Sequence, residues 1–195
     1  MANKILLIQG HPDPAAGHLC HVLAQAYGDG ALEADRDVRT LPVAQLDFPL
    51  LRSQHAWTNE PVPPSLASAQ DDIHWADHLV FFFPLWLGGM PALLKGFLEQ
   101  VARPGFALKR DEKNPFKAKL LKGRSARLVV TMGMPALVYR YFFRAHSIKA
   151  LERNILGFVG IAPIEETLIG AVDAMDDKAR AQWLDKLREL GRRAQ

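Results

Sequence analysis

The sequence predicts a single α/β domain over residues 1–195, built on a doubly wound, five-stranded parallel sheet in the order 2-1-3-4-5 with helices on both faces. Three observations carry this. The runs "KILLIQG" (4–10), "HLVFFF" (78–83) and "SARLVVTMG" (125–133) are continuously apolar instead of alternating, as in strands buried on both faces. The segments between them repeat apolar residues at three- and four-residue spacing, as helices do. Strand then alternates with helix throughout, and right-handed crossovers make such a sheet parallel.

The elements follow in order. "KILLIQG" is the first strand, ending near Gly10. After a loop of about seven residues, Leu19, Val22, Leu23 and Ala26 mark a helix over 18–27. "DVRTL" (37–41) is the second strand. Pro42, Pro49, Pro61, Pro63 and Pro64 bar long regular elements from 42–64 and predict an extended excursion. Ser65 is placed to cap a helix running to Ala76, before the third strand at 78–83. Pro91 suits the first turn of the next helix, whose stripe is Leu93, Leu94, Phe97, Leu98 and Val101 and which ends before Pro104. Residues 125–133 form the fourth strand, 147–158 a helix, "IEETLIG" (164–170) the fifth strand, and 176–193 a closing amphipathic helix.

Composition narrows the function classes. A chain that is 49% hydrophobic and 23% charged is an ordinary globular protein. Its net charge of +3 suits anionic small molecules and falls well short of a nucleic-acid arm. The one cysteine, Cys20, excludes an internal disulfide and fits a reducing cytoplasm, where it reads as a quiet, half-buried thiol. The apolar stretch at the N-terminus is too short for a signal-peptide core. The longest apolar run, 79–94, is broken by Pro84, Gly88, Gly89 and Pro91, so no membrane insertion is expected.

In a sheet of this order, ligands bind beyond the carboxyl ends of the strands, between strands one and three. Function is therefore expected in three loops. "GHPDPAAGH" leads small residues to a helix start, a setting that favours a phosphate, although it has neither the P-loop lysine nor a G-x-G-x-x-G pattern. His11 there could donate to a phosphate oxygen or simply be satisfied at a strand end. "PLWLGGMP" offers backbone amides, Trp86, Leu87 and two glycines, which together suit a planar apolar ring; packing of Trp86 and Leu87 beneath the long excursion is the competing reading. "TMGMPALVYRYFFRAH" holds Tyr139 and His146 as candidate proton relays and Arg140 and Arg144 as candidate anion partners, or as surface residues of a helical approach.

Other constellations point away from function. His18, Cys20 and His21 lack a second ligand pair at zinc-site spacing, so no metal is expected. His74 and His78, with Asp71, Asp72 and Asp77, read as a polar helix end. The segment 109–124 carries seven basic residues against two acidic ones with Phe116 as its aromatic, and reads as a solvated loop, not a nucleic-acid site.

Together "KILLIQGHPDP", "FFFPLWLGGMPALLKGFLEQV" and "VVTMGMP" resemble the NAD(P)H:quinone oxidoreductase family, flavodoxin-like flavoproteins that include ancillary oxidoreductases of potassium-efflux systems. The likeness runs in order over residues 4–170, and P-x5-M-P-A-x-L-K-G-F is its most specific part. It implies a flavin, FAD or FMN, with NAD(P)H as co-substrate. It implies that His11, Gly17 and His18 meet the flavin phosphates, that Pro84, Leu85, Trp86 and Leu87 lie along the ring, and that Thr131, Met132 and Gly133 meet its pyrimidine edge. The family's catalytic tyrosine corresponds to Tyr139, and its histidine to His146 if one residue is inserted. Two departures stand out. The usual S-F-N of the phosphate loop is Ala16, Gly17 and His18, which removes a hydroxyl and an amide, and a common ring-facing tryptophan is Leu87.

The expectation is a flavin-dependent oxidoreductase that reduces quinones or related electrophilic aromatics in two alternating half-reactions. The alternative is an ancillary subunit that senses a flavin or nucleotide and binds a transport partner. An electron carrier of the flavodoxin type is disfavoured because such carriers are strongly acidic. A homodimer is expected, since Trp86, Leu87, Met134, Tyr139, Tyr141, Phe142 and Phe143 make one apolar patch and Phe48, Leu50, Leu51 and Trp57 a second, and two-fold pairing would bury both at once. The resemblance implies the same.

Overall fold

Five parallel strands form the centre of the computed structural model, which describes residues 2–110, 114 and 117–195. They are β1 (Lys4–Gln9), β2 (Asp37–Pro42), β3 (His78–Pro84), β4 (Ser125–Thr131) and β5 (Ile164–Ile169), in the order 2-1-3-4-5. Every pairing is parallel, with Ile8 opposite both Leu41 and Phe81, and Thr131 opposite both Pro84 and Ile169. All of β3 is buried, whereas at the edges β2 exposes three of its six residues and β5 two of six. This is why the central strands read as unbroken apolar runs and the edge strands are the more polar ones.

Alternate residues of the sheet feed two cores. Leu6, Ile8, Phe81, Phe83, Leu128 and Val130 pack beneath α3 (Ala67–Trp75), α4 (Ala92–Val101) and α5 (His146–Ala150). Ile5, Leu7, Val80, Phe82 and Val129 pack beneath α1 (Leu19–Glu33) and α7 (Asp177–Arg193). These two helices touch backbone to backbone. A Cβ on Gly30 would fall 1.9 Å from the Arg188 carbonyl oxygen, and one on Gly191 would fall 2.0 Å from that of Tyr27. Only glycine permits that approach.

The chain between β2 and α3 corrects one expectation and refines another. Ser65 does not cap α3. Pro63 and Pro64 open a tight turn over Pro64–Leu66, Leu66 becomes the residue before the helix, and the Ser65 hydroxyl donates to the Asp47 carbonyl at 2.5 Å. The excursion also contains a short helix, α2 (Gln54–Asn59), capped by Ser53, whose hydroxyl accepts from the Ala56 N–H at 3.0 Å. Buried Arg103 pins α2 by donating to the carbonyls of Ala56 and Glu60, and Gln100 holds Pro49. Phe48 meets Phe97 edge-on, and both Phe48 and Trp57 pack on the chain's own core. The second apolar surface expected of Phe48, Leu50, Leu51 and Trp57 is thus largely spent within the subunit, and of these four only Leu50 is exposed.

After β4 the chain makes a π-helical turn over Val138–Phe142, then α5, a second π-helical stretch over Leu151–Leu156, and α6 (Gly157–Val159). In the basic segment, Arg124 donates to the carbonyls of Ile73 and His74 and Lys119 to that of Gly157, so part of its charge is structural. Phe116 lies outside the described residues. Among the described residues, no helix is long and apolar enough to cross a membrane.

Candidate functional site

The loop leaving β1 is organised by one acid. The Asp13 N–H donates to Nδ1 of His11 at 3.1 Å, and the Asp13 carbonyl lies 3.1 Å from the same nitrogen and 3.0 Å from Nε2 of His21. The Asp13 carboxylate accepts from the Ala15 N–H at 2.8 Å and lies 2.9 Å from Nε2 of His18. Three imidazoles are thereby gathered: His11 stacks on His18 with centroids 4.0 Å apart, and His21 stands 5.4 and 5.8 Å from the two. Burial, and then the His18 ring beside it, hold the His11 pKa below the usual imidazole value. The Ala15 amide, then His18, hold Asp13 below the usual carboxylate value. Gly17, at φ +102°, supplies the left-handed step into α1.

The turn leaving β3 lies beside this cluster. The Leu85 N–H donates to the Thr131 carbonyl at 2.7 Å, and Trp86 and Gly89 exchange two hydrogen bonds of 2.9 Å. The two residues between them, Leu87 and Gly88, both have positive φ, +47° and +77°, the signature of a type I′ turn. Glycine adopts this conformation freely and leucine does not. The Leu87 side chain stands fully in solvent, and Trp86 is 50% exposed with its indole edge-on to His11 at 5.8 Å. An apolar side chain is held out of the core at the expense of backbone strain.

Thr131, the last residue of β4, and Met132 after it are buried, and Gly133 is exposed. The Thr131 hydroxyl lies 3.2 Å from Cys20 Sγ, and no hydrogen bond among the described residues uses the Gly133 N–H. A Cβ at Gly133 would meet the Asp173 carboxylate at 2.7 Å. Tyr139 is buried, and its hydroxyl has no hydrogen-bond partner of good geometry. Burial raises its pKa, opposed by the nearby Ile148 N–H and Ser147. Ser147 also borders the β3 turn, since its Oγ would lie 3.3 Å from a Cβ on Gly89. His146 is exposed at the start of α5, and no hydrogen bond, ion pair or ring contact among the described residues joins it to the other candidates.

The description of the flavodoxin-like fold family matches residues 3–190. The chain belongs to that family. Three similar proteins illustrate the range. An uncharacterized NAD(P)H oxidoreductase of Haemophilus influenzae is 32% identical over 125 residues, covering 64% of this chain and 61% of that protein. An FMN-dependent NADH:quinone oxidoreductase of Alcanivorax borkumensis is 25% identical over 148 residues, covering 73% and 72%. The crystal structure of Smu.1420 from Streptococcus mutans UA159 superposes with a TM-score of 0.80 at 26% identity, covering 97% and 99%. Against the first curated relatives the chain spans about three fifths of their length.

Within this flavodoxin-like chain, His11, His18, Trp86, Leu87, Thr131 and Gly133 converge at one end of the sheet. Sequence reasoning passed over Asp13, which organises the loop, and treated His21 only as a non-ligand. It also missed Ser147, which lies between Tyr139 and the β3 turn. The three-residue step from His18 to His21 puts both on one helical face, and that spacing was the available signal for His21. Among the described residues, no group of three or more histidines, cysteines and acids could hold a metal ion.

Proposed function

We propose that the chain is a flavin-dependent NAD(P)H oxidoreductase that reduces quinones or related electrophilic aromatics in two alternating half-reactions. The observation that carries this reading is the strained turn that holds Leu87 in solvent with Trp86 beside it, at the carboxyl edge of the sheet. The free imidazole nitrogens of the β1 loop and the free Gly133 N–H support a phosphate at one end and a polar ring edge at the other. The relatives named as NAD(P)H and NADH:quinone oxidoreductases lend the same support.

The chain's own residues would act as follows. His11, Gly17 and His18 would hold the flavin phosphate, FMN or FAD. Pro84, Leu85, Trp86 and Leu87 would flank the ring and exclude water from one face. The backbone at Thr131, Met132 and Gly133 would orient its pyrimidine edge. When bound, the flavin supplies the hydride-accepting and hydride-donating chemistry that protein side chains lack. Tyr139, through Ser147, and His146 would hold or move protons at that edge.

Leu137, Tyr141 and Phe142 are strongly exposed, and with Leu87 they support a homodimer that shares its sites between chains. The single buried, unpaired Cys20 supports a cytoplasmic setting. The test of the whole reading is direct. Purified protein should be yellow, bleach when NAD(P)H is added without oxygen, and regain colour with a quinone. Colourless protein that takes up no added flavin ends the proposal. Sedimentation tests the dimer, and a monomer that still turns over would remove the shared site.

A further inference from the structure

We propose that His11, His18 and His21 form a proton-dependent phosphate clamp, in which binding of the flavin phosphate draws about one proton onto the imidazoles and the phosphate's share of the affinity fades above neutral pH. This rests on the flavin reading above and adds to it a role for His21 and a charge requirement.

The argument begins with what the loop lacks. Residues 10–22, "GHPDPAAGHLCHV", contain no lysine, arginine, serine or threonine. Apart from backbone amides, the imidazoles are the donors there that could meet a phosphate, and the His18 side chain does not cap α1. The residue with fixed charge is Asp13, an anion that touches His18 directly and His11 and His21 through its backbone. Around the cluster, Trp86 from the β3 turn and Thr131 from β4 are uncharged, and burial pushes the neighbouring Cys20 thiol up to about 11, so it is neutral at physiological pH. With all three imidazoles neutral, the loop is therefore net negative and repels a phosphate.

Imidazole is the side chain that changes charge between about pH 5 and 8. Nδ1 of His11 is engaged with Asp13, as are Nε2 of His18 and Nε2 of His21, so the other nitrogen of each ring has no partner among the described residues. His11 and His18 stack at 4.0 Å, and the Asp13 carboxylate in contact with His18 offsets one ring charge but not two, so charging both rings calls for a further anion. A phosphate dianion supplies that anion. It favours the charged imidazoles and so raises their proton affinity in the bound state. Affinity is then full at low pH and lost as the pH rises through the bound-state titration.

The test compares phosphate-bearing flavins with riboflavin, which has the same ring and no phosphate. Flavin-stripped protein is titrated with FMN, FAD and riboflavin at constant ionic strength between about pH 6.5 and about pH 8.5, a window above the second phosphate pKa of about 6. For FMN or FAD the dissociation constant should rise by up to about tenfold per pH unit, the slope of one linked proton, while that for riboflavin stays level. In His18→Asn/His21→Asn the slope should flatten, with binding at low pH falling to the wild-type level at high pH. Asp13→Asn, which removes the fixed anion, should bind FMN more tightly than wild type at about pH 8.5, which gives an independent check should the histidine variant fold poorly. Parallel pH profiles for FMN and riboflavin, or an unchanged slope in the double variant, overturn the clamp and leave the flavin reading standing. Failure to bind all three flavins at every pH overturns both.

Discussion

Cys20 Sγ, in the first turn of α1, lies 3.2 Å from Thr131 Oγ1 at the carboxyl end of β4. The contact ties the helix that follows the β1 loop to the strand that precedes the loop of Met132 and Gly133. Burial raises the thiol pKa to about 11, so thiolate is scarce at neutral pH. Ellman's reagent should therefore modify the native protein very slowly and denatured protein at once. Thr131→Val, which removes the hydroxyl, should cost about 0.5–1.5 kcal/mol by denaturant unfolding.

Gly17 separates charge from backbone strain. A Cβ there meets nothing within 4 Å, so the cost of a side chain is its φ of +102° alone. Gly17→Ala should lose about 1 kcal/mol of stability and keep flavin. Gly17→Asp should add a like charge at the phosphate and release flavin while staying folded, as absorbance after gel filtration would show.

Leu87 sets stability against binding. Leu87→Asn places at a left-handed position the residue that type I′ turns favour before glycine. The variant should be more stable by of order 1 kcal/mol in thermal unfolding and should bind flavin or acceptor more weakly. A gain in stability with undiminished binding would show that the leucine serves packing alone.

Tyr139 carries a buried hydroxyl without a good partner, so Tyr139→Phe should be neutral or slightly stabilising. If the hydroxyl serves proton transfer, the same variant should slow flavin bleaching by NAD(P)H by about ten- to a thousandfold in stopped flow. An unchanged rate would leave Tyr139 as a packing residue.

His78 lies at the start of β3, far along the strands from the loops. It is buried, with Nδ1 2.7 Å from Ser125 Oγ and Nε2 unpartnered. Burial, then Arg127, lowers its pKa to about 4. The unfolded chain would bind a proton near pH 6.5 while the folded chain would not, so stability should fall as the pH drops from about 6.5 to about 4, by about 3 kcal/mol for a shift of this size. His78→Gln should remove most of that acid sensitivity in pH-dependent urea unfolding.

The legibility of the sequence tracks the physics of each segment. β1, β3 and β4 were readable because burial on both faces writes a local signal, and Pro91 marked the start of α4 to within one residue, standing as its N-cap just ahead of the first turn. Ser65 misled because its hydroxyl went to Asp47, a partner eighteen residues away that no local pattern reveals. α2 went unread because its stability comes from Arg103, on the far side of β3 in sequence. At the site, Trp86 and Leu87 announced themselves as apolar residues in a glycine turn. His21 did not, because its place beside His11 and His18 depends on Asp13 folding back over three rings.

The glycine seam between α1 and α7 has a consequence for how the loop can respond to a ligand. Gly30 and Gly191 lock the far half of α1 against α7, while its first turn carries His21 beside the loop that leaves β1. A rod clamped at one end does not pivot freely, so adjustment on binding falls to residues 11–18. Amide hydrogen exchange would read this partition: the Tyr27–Ala31 amides should open together with the last turns of α7, and flavin should protect the loop without changing their rate.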